Sequence, residues 1–226
     1  MMRKRISYTL NSNDPGWPGN PKIDFASYTS IAEGDSCNQY ILSLFNHFGS
    51  HMDGARHFND NGIRLAEEDF DRFFYGHPLL VDIPKKAAEA VIKEDLVPYA
   101  AEIAKADLLM IRTGFSKIRR DDPEIYSAKG PYMGSDAAKY LMDHFRATLK
   151  AVALDFISLG SPAAPDGGGL AHQYMLGVHH HGEHICIIED VNFEGLEAEK
   201  LRSAAAVPLF TETMDSAPVT MWVETD

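Results

Sequence analysis

His47-Phe48-Gly49-Ser50-His51-Met52-Asp53-Gly54-Ala55-Arg56-His57 sets three imidazoles and a carboxylate within eleven residues, separated mostly by small or apolar side chains. Imidazole and carboxylate donors together suit borderline divalent ions such as Zn²⁺ or Mn²⁺. In an extended segment His51 and Asp53 project from the same face, because strand side chains alternate with period two. Gly49 frees the backbone to curl His47 back toward them. His57 lies far enough along to be a further ligand or an acid/base group beside a metal, a task that suits an imidazole. The segment marks the chain as a candidate metalloenzyme.

Reading outward, residues 40–45 form a short apolar strand candidate that delivers the chain to His47. The opening stretch 11–21 is dense in Asn, Pro and Gly and predicts turns, with Trp17 either a plug beneath the loop or part of a pocket wall. Downstream, 79–83 reads as a buried strand ended by Pro84. Residues 87–104 are rich in Ala, Glu and Lys but contain Pro98, which predicts two short helices. A strand over 106–114 is followed by a polar, Pro- and Gly-punctuated stretch, 115–134, expected as a long surface loop. Ser135 is the expected N-cap of a helix reaching about residue 148. Then come a strand at 151–155, a glycine loop at 161–169, a short helix at 170–177 and a strand at 184–190. Two last strands are expected at 204–210 and 217–223. Mixed elements without repeat or linker predict one α/β domain over residues 1–226, with a sheet covered on both faces.

The 226 residues suffice for a substantial core, and 45% hydrophobic with 24% charged residues is an ordinary globular composition. A net charge of −12 disfavours nucleic acid and anionic membrane surfaces as partners. The two cysteines, Cys37 and Cys186, stand in unrelated contexts and suggest neither a disulfide scaffold nor a cysteine zinc site. The basic residues 3–5 are not followed by an apolar signal region, and no run approaches the ~20 apolar residues of a membrane helix. A cytoplasmic protein with a small-molecule substrate is expected.

Eight of the ten histidines fall in two groups, 47, 51, 57 and 172, 179, 180, 181, 184. His77 and His144 stand apart and read as ordinary surface or core residues. Glu189 ends an apolar strand, where a buried carboxylate is costly unless paired or bound to a cation. His47, His51, Asp53, His172 and Glu189 would supply five protein ligands to two metal ions, with the two carboxylates suited to bridging. Ions so held act as Lewis acids and lower the pKa of bound water to about 7, leaving His57 for proton transfer. No nucleophile elbow, phosphate-cradling loop or dinucleotide fingerprint is present.

The spacing His47-x3-His51-x-Asp53-x3-His57 resembles the H-x-G-T-H-x-D-x-P-x-H signature of the cyclase-like metal-dependent hydrolases, the family of kynurenine formamidase and isatin hydrolase. Trp17-Pro18-Gly19-Asn20-Pro21 resembles the family's W-P-G-D-P opening. Leu109-Met110-Ile111-Arg112-Thr113-Gly114 is similar to its L-L-x-R-T-G strand, and Leu154-Asp155-Phe156-Ile157-Ser158 to its G-x-D-x-x-S segment. Ile187-Ile188-Glu189-Asp190 resembles its closing I-x-E strand.

The resemblance implies a swivelling β/β/α fold with a mixed sheet or barrel-like core, assembled as a homo-oligomer, dimer or tetramer. It implies a first metal on His47, His51 and Asp53. Asp53 and Glu189 then bridge to a second metal bound also by a downstream His, and His57 serves as acid/base. His172-Gln173-Tyr174-Met175-Leu176-Gly177 fits the downstream pattern, although the interval to Glu189 is longer by about residues 178–182. A loop insertion there is cheap, so His172 is preferred, with His179, His180 and His181 in reserve. Ser50 stands where the family has Thr and keeps the hydroxyl. Ala55 stands for Pro and predicts a looser loop before His57, and the insertion around His179 is expected near the pocket.

The implied activity is metal-dependent hydrolysis of an amide-type C–N bond, arylformamidase-like, with one or two Zn²⁺ ions, Mn²⁺ being the alternative. Ring-opening lactam or lactone hydrolysis and cyclase or dehydratase chemistry are the alternatives within the family. A metal-binding protein without activity is the alternative outside enzymes.

Overall fold

The apolar runs of the sequence become the central strands of the computed structural model, which describes residues 1–226. In chain order the strands are β1 (Met2–Arg5), β2 (Asp24–Thr29), β3 (Gln39–Ser43), β4 (His51–Asp53), β5 (Phe74–Tyr75), β6 (Pro78–Asp82) and β7 (Ala90–Val91). They continue with β8 (Leu108–Arg112), β9 (Tyr132–Met133), β10 (Ala151–Leu154), β11 (Cys186–Glu189), β12 (Leu201–Pro208) and β13 (Ser216–Thr225). The helices are α1 (Lys93–Leu96), α2 (Ala100–Ile103), α3 (Pro123–Ala128), α4 (Ser135–Phe145) and α5 (Gly169–Met175).

Nine strands form one mixed sheet in the order β5-β12-β13-β4-β11-β10-β8-β6, with β1 added along β13. The run β6, β8, β10, β11 is parallel, and the helices lie in its connections. From β11 onward the pairings through β4, β13, β12 and β5 are antiparallel. β6 comes back against β12, so the sheet nearly closes on itself. The period-two alternation of these strands feeds two cores. Val81, Leu109, Ile111, Val152, Leu154 and Ile187 pack against Leu141, Met142, Phe145 and Met175 of the helices. Leu80, Met110, Ala153 and Ile188 point the other way, to Met52, Met221 and Val223. Both faces of the sheet are covered, as continuous apolar strands require.

Several local expectations need correction. Residues 115–134 are not a loop: a 3₁₀ turn Phe115–Ile118, helix α3 and strand β9 occupy them. Asp122 caps α3 by accepting from the Ile125 amide at 3.1 Å, and Pro123 takes the first turn, where its missing amide costs nothing. Ser135 is the first helical residue rather than the cap, Gly134 holds the cap position, and α4 stops at Phe145. Ala55 does not loosen its loop. It is fully buried in a 3₁₀ turn closed by the His57 amide on the Gly54 carbonyl at 3.1 Å. The strand before His47 is β3, which pairs only with β2 in an exposed two-stranded ribbon. Residues 87–104 do split at Pro98 into α1 and α2.

One buried ion pair locks the end of β11. Asp190 adopts φ +55°, an unfavourable conformation for any residue but Gly, Asn and Asp. Its carboxylate is gripped by Arg119 at 2.8 and 2.7 Å and by the Tyr126 hydroxyl at 2.7 Å. Its carbonyl accepts from the Ser50 hydroxyl, which in turn accepts from the Tyr8 amide at 2.9 Å. The Arg119 guanidinium also lies 3.8 Å over the Tyr8 ring and 3.2 Å from Asp14. The network ties the N-terminal segment, the His47–His57 segment and the residue just after β11 together. Arg119→Ala leaves Asp190 charged and unpaired in the interior, so it should cost about 3–5 kcal/mol and lower the thermal midpoint by roughly 10 °C. Arg119→Met combined with Asp190→Asn should cost less than the single change, because no uncompensated charge remains. Thermal denaturation of the two variants beside the parent protein checks both.

Candidate metal centre

The register of β4 builds the floor of the site. Across the antiparallel ladder His51 faces Glu189 and Asp53 faces Ile187, so His51, Asp53 and Glu189 share one face while Met52 and Ile188 point into the opposite core. Gly49, at φ +69°, turns the chain just before β4 and aims its carbonyl back at His51, whose Nδ1 donates to it at 2.8 Å. That bond leaves Nε2 directed at the carboxylates.

His172 is presented the same way. Gly168, at φ +83°, caps α5, and its carbonyl accepts from His172 Nδ1 at 2.9 Å. A side chain at Gly168 would stand 2.2 Å from the Gly160 backbone, so the glycine loop is a close backbone crossing that seats the first turn of α5. His47 enters from the β3 side with its Nδ1 3.0 Å from Asp53 Oδ1.

Donor atoms now fall in two sets. On one side His47 Nδ1 and His51 Nε2 stand 3.0 and 3.5 Å from Asp53 Oδ1, and His51 Nε2 stands 3.2 Å from Glu189 Oε2. On the other, His172 Nε2 lies 3.9 Å from Asp53 Oδ2 and 3.6 Å from Glu189 Oε1. Asp53 and Glu189 thus offer one oxygen to each set. Two ligands at ~2.1 Å from one tetrahedral ion stand about 3.4 Å apart, and these separations cluster around that value. Three atoms at the centre, His51 Nε2 and both Asp53 oxygens, are buried without any hydrogen bond. Buried polar atoms rarely go unpaired, and a cation between them would satisfy all three.

The electrostatics point the same way. Burial alone would push the imidazoles of His47, His51 and His172 down, yet neighbouring carboxylates push all three up, His47 to about 10. Burial would raise the two carboxyls, and Asp53 raises Glu189 further. The surrounding imidazoles nevertheless hold Asp53 well below the usual carboxylate range and Glu189 down to about 2. The cluster is rich in donors and short of positive charge, a need that a divalent ion would meet with neutral imidazoles. Glu189 is oriented by the Ser158 hydroxyl at 3.0 Å and the Leu159 amide at 2.6 Å, both on Oε1.

His57 sits at the rim, with Nε2 4.0 Å from Asp53 Oδ2. The floor lies beneath a cavity of about 270 Å³ walled by Trp17, Phe45, Phe58 and Ile157. Trp17 is therefore a wall of the cavity. Phe58 stacks on the His172 ring at 4.6 Å.

The structure brings together His47, His51, Asp53, His57, His172 and Glu189 and leaves the other candidates apart. His179 packs on Tyr174, and His180 binds Asp143 at 3.0 Å on α4. None of residues 178–182 lines the cavity, contrary to the expectation that the insertion would border it. A second donor group, Glu68, His184 and Cys186, has its His184 Nε2 only 2.6 Å from Glu68 Oε1. That separation is a charge-assisted hydrogen bond, too short for two ligands of one ion. Sequence reading missed Asp215, which lies 3.0 Å from His57 Nδ1 and 3.5 Å from His47 Nε2. A lone Asp before the last strand carried no spacing signal.

Comparison with known proteins identifies the family. Kynurenine formamidase of Bacillus cereus is 26% identical over 214 residues, 95% of this chain and 93% of that one. An uncharacterized protein of Haemophilus influenzae is 39% identical over 128 residues, 57% of this chain and 89% of that protein. The fold is shared with isatin hydrolase A from Ralstonia solanacearum, at a TM-score of 0.81 and 14% identity over 98% of this chain and 91% of that chain. The family model described as Putative cyclase matches residues 5–161, a span that holds His47, His51, Asp53 and His57. By that match and by the fold it shares, the chain belongs to the Cyclase family.

Proposed function

We propose that the chain is a metal-dependent hydrolase that cleaves an amide-type C–N bond, with an arylformamide as its substrate class. The observation that carries this reading is the pair of buried carboxylates, Asp53 and Glu189, each offering one oxygen to each of two imidazole sets beneath an aromatic-walled cavity. His47, His51 and Asp53 would hold one ion, and His172 with the remaining oxygens of Asp53 and Glu189 a second. Nitrogen and oxygen donors without a thiolate suit Zn²⁺, with Mn²⁺ as the alternative. Ions at these positions supply Lewis acidity at the scissile carbonyl and lower the pKa of water to about 7.

The chain's own residues do the rest. Trp17, Phe45 and Phe58 offer flat apolar walls to an aryl group, and the polar floor receives its acyl nitrogen and carbonyl. A cavity of about 270 Å³ suits a substituted aromatic ring better than a peptide. His57 takes a proton from the attacking water and returns it to the leaving nitrogen. Water's oxygen then ends on the acyl carbon, the C–N bond breaks and a free amine departs. Relatives named kynurenine formamidase, similar along 95% of this chain, support the formamide over other amides. The fold shared with isatin hydrolase makes ring-opening lactam hydrolysis the second reading.

Donors drawn from His47 to Glu189 support treating residues 1–226 as one catalytic domain, and we place it in the cytoplasm as a homo-oligomer. The β2–β3 ribbon supports assembly. Phe25, Tyr40, Ile41 and Leu42 are about half exposed or more, and a two-stranded ribbon is marginal in water on its own. The ribbon runs straight into Phe45 at the cavity wall, so a second copy covering it would also finish the pocket mouth.

Three outcomes test these readings. His57→Ala should lower N-formylkynurenine hydrolysis by roughly 10²–10⁴-fold with metal content per chain unchanged; loss of both together would make His57 a ligand. A panel of formamides, lactams and lactones should rank N-formylkynurenine first, and a preference for isatin would move the enzyme to ring opening. Tyr40→Ser with Leu42→Ser should shift the mass measured by light scattering from a multiple of 25.1 kDa toward the single chain. A parent protein already monomeric would remove the homo-oligomer.

A further inference from the structure

Four imidazoles meet at the proposed centre, and they are held in two different ways. His51 and His172 give Nδ1 to backbone carbonyls, those of Gly49 and Gly168. His47 and His57 have no carbonyl partner. Both turn instead to a single side chain, Asp215, whose Oδ2 lies 3.0 Å from His57 Nδ1 and 3.5 Å from His47 Nε2.

Asp215 is itself firmly placed. It immediately precedes β13, whose first residue, Ser216, pairs with Asp53 across the ladder. Its carbonyl accepts from the Gly54 amide at 3.1 Å, which joins it to the turn between Asp53 and His57. Asn46 donates to Oδ1 at 3.1 Å and the Ser216 hydroxyl to Oδ2 at 3.0 Å. Asn46, next to His47, and Gly54, in the turn before His57, thus help fix the carboxylate that faces both rings.

We propose that Asp215 is a positioning residue for His57 and His47, accepting Nδ1–H of the first and Nε2–H of the second. The inference rests on the proposed roles of those two histidines. With Nδ1–H of His57 engaged, its Nε2 carries the lone pair and points toward Asp53 and the cavity, where a proton must be taken up. With Nε2–H of His47 engaged, its Nδ1 is the nitrogen turned toward Asp53. A carbonyl can also fix a tautomer, but only a carboxylate adds a charge that stabilises the imidazolium formed when His57 takes its proton. The division of labour is therefore chemical: rings held by carbonyls serve only as donors, and rings held by Asp215 include the one that must change charge.

The test uses the zinc-loaded full chain, with Asp215→Asn and Asp215→Glu beside the parent. Two-bond ¹H–¹⁵N correlations of the parent should show His57 protonated on Nδ1; protonation on Nε2 alone would overturn the proposal without any variant. Asp215→Asn should lower kcat by roughly 100-fold or more with KM within about threefold, weaken zinc affinity about 10–100-fold, and lose the His57 Nδ1–H signal. Asp215→Glu should recover part of kcat and the signal. Loss of a whole zinc equivalent in Asp215→Asn would make Asp215 a ligand, and an unchanged kcat with the signal intact would leave it no positioning role; either result overturns the proposal. Failure of the parent to bind zinc strikes the proposed function itself and is visible before any variant is made.

Discussion

The antiparallel pairing of β4 with β11 is the constraint on which the site depends. It sets His51 opposite Glu189 and leaves Asp53 on the same face two residues along. A slip of one residue would send both β4 donors into the apolar core and turn Met52 toward the cavity. The register is held from three directions. Met52 and Ile188 are fully buried on the opposite face, β13 pairs with the other edge of β4, and the Ser50 hydroxyl binds the Asp190 carbonyl just beyond the ladder. Short as it is, β4 is the seam between the parallel and antiparallel halves of the sheet, so donors from both halves converge on it.

Charge management follows from that placement. Asp53, Glu189 and Asp190 lie within one buried neighbourhood, and three uncompensated carboxylates there would be prohibitive. Arg119 neutralises Asp190 in a pocket of its own, with a further hydrogen bond from the Tyr126 hydroxyl, which leaves Asp53 and Glu189 as the free pair. Their charge is met by imidazoles without well-aligned hydrogen bonds, a cluster preorganised for a cation rather than satisfied within itself. Glu68 and His184, by contrast, close on each other and leave nothing for an ion to do.

Much of this could be read from the chain. The period-two alternation and small-residue spacing of 47–57 placed His51 and Asp53 together, and an acid at the end of an apolar strand marked Glu189. His172 was separable from His179–His181 only by a motif, since four nearby imidazoles look alike until α5 shows which one faces inward. Asp215 stayed hidden because its neighbours are more than 150 residues away in sequence and meet it only through β13. The stretch 115–134 was misread for a related reason. Its Pro and Gly residues mark element boundaries as readily as loops, and Asp122-Pro123 opens a helix whose Tyr126 is completed by the distant Asp190. The exposed β2–β3 ribbon has apolar residues on a surface, which a single chain gives no reason to expect.

The central claim is a bridged pair of cation positions between Asp53 and Glu189, and anomalous diffraction from crystals grown with zinc or manganese tests it most directly. Two peaks about 3.5–4 Å apart are expected, one beside His47 and His51 and the other beside His172, with Asp53 and Glu189 reaching both. A cluster without a peak, or metal found only at the exposed His179–His181 turn, would contradict it.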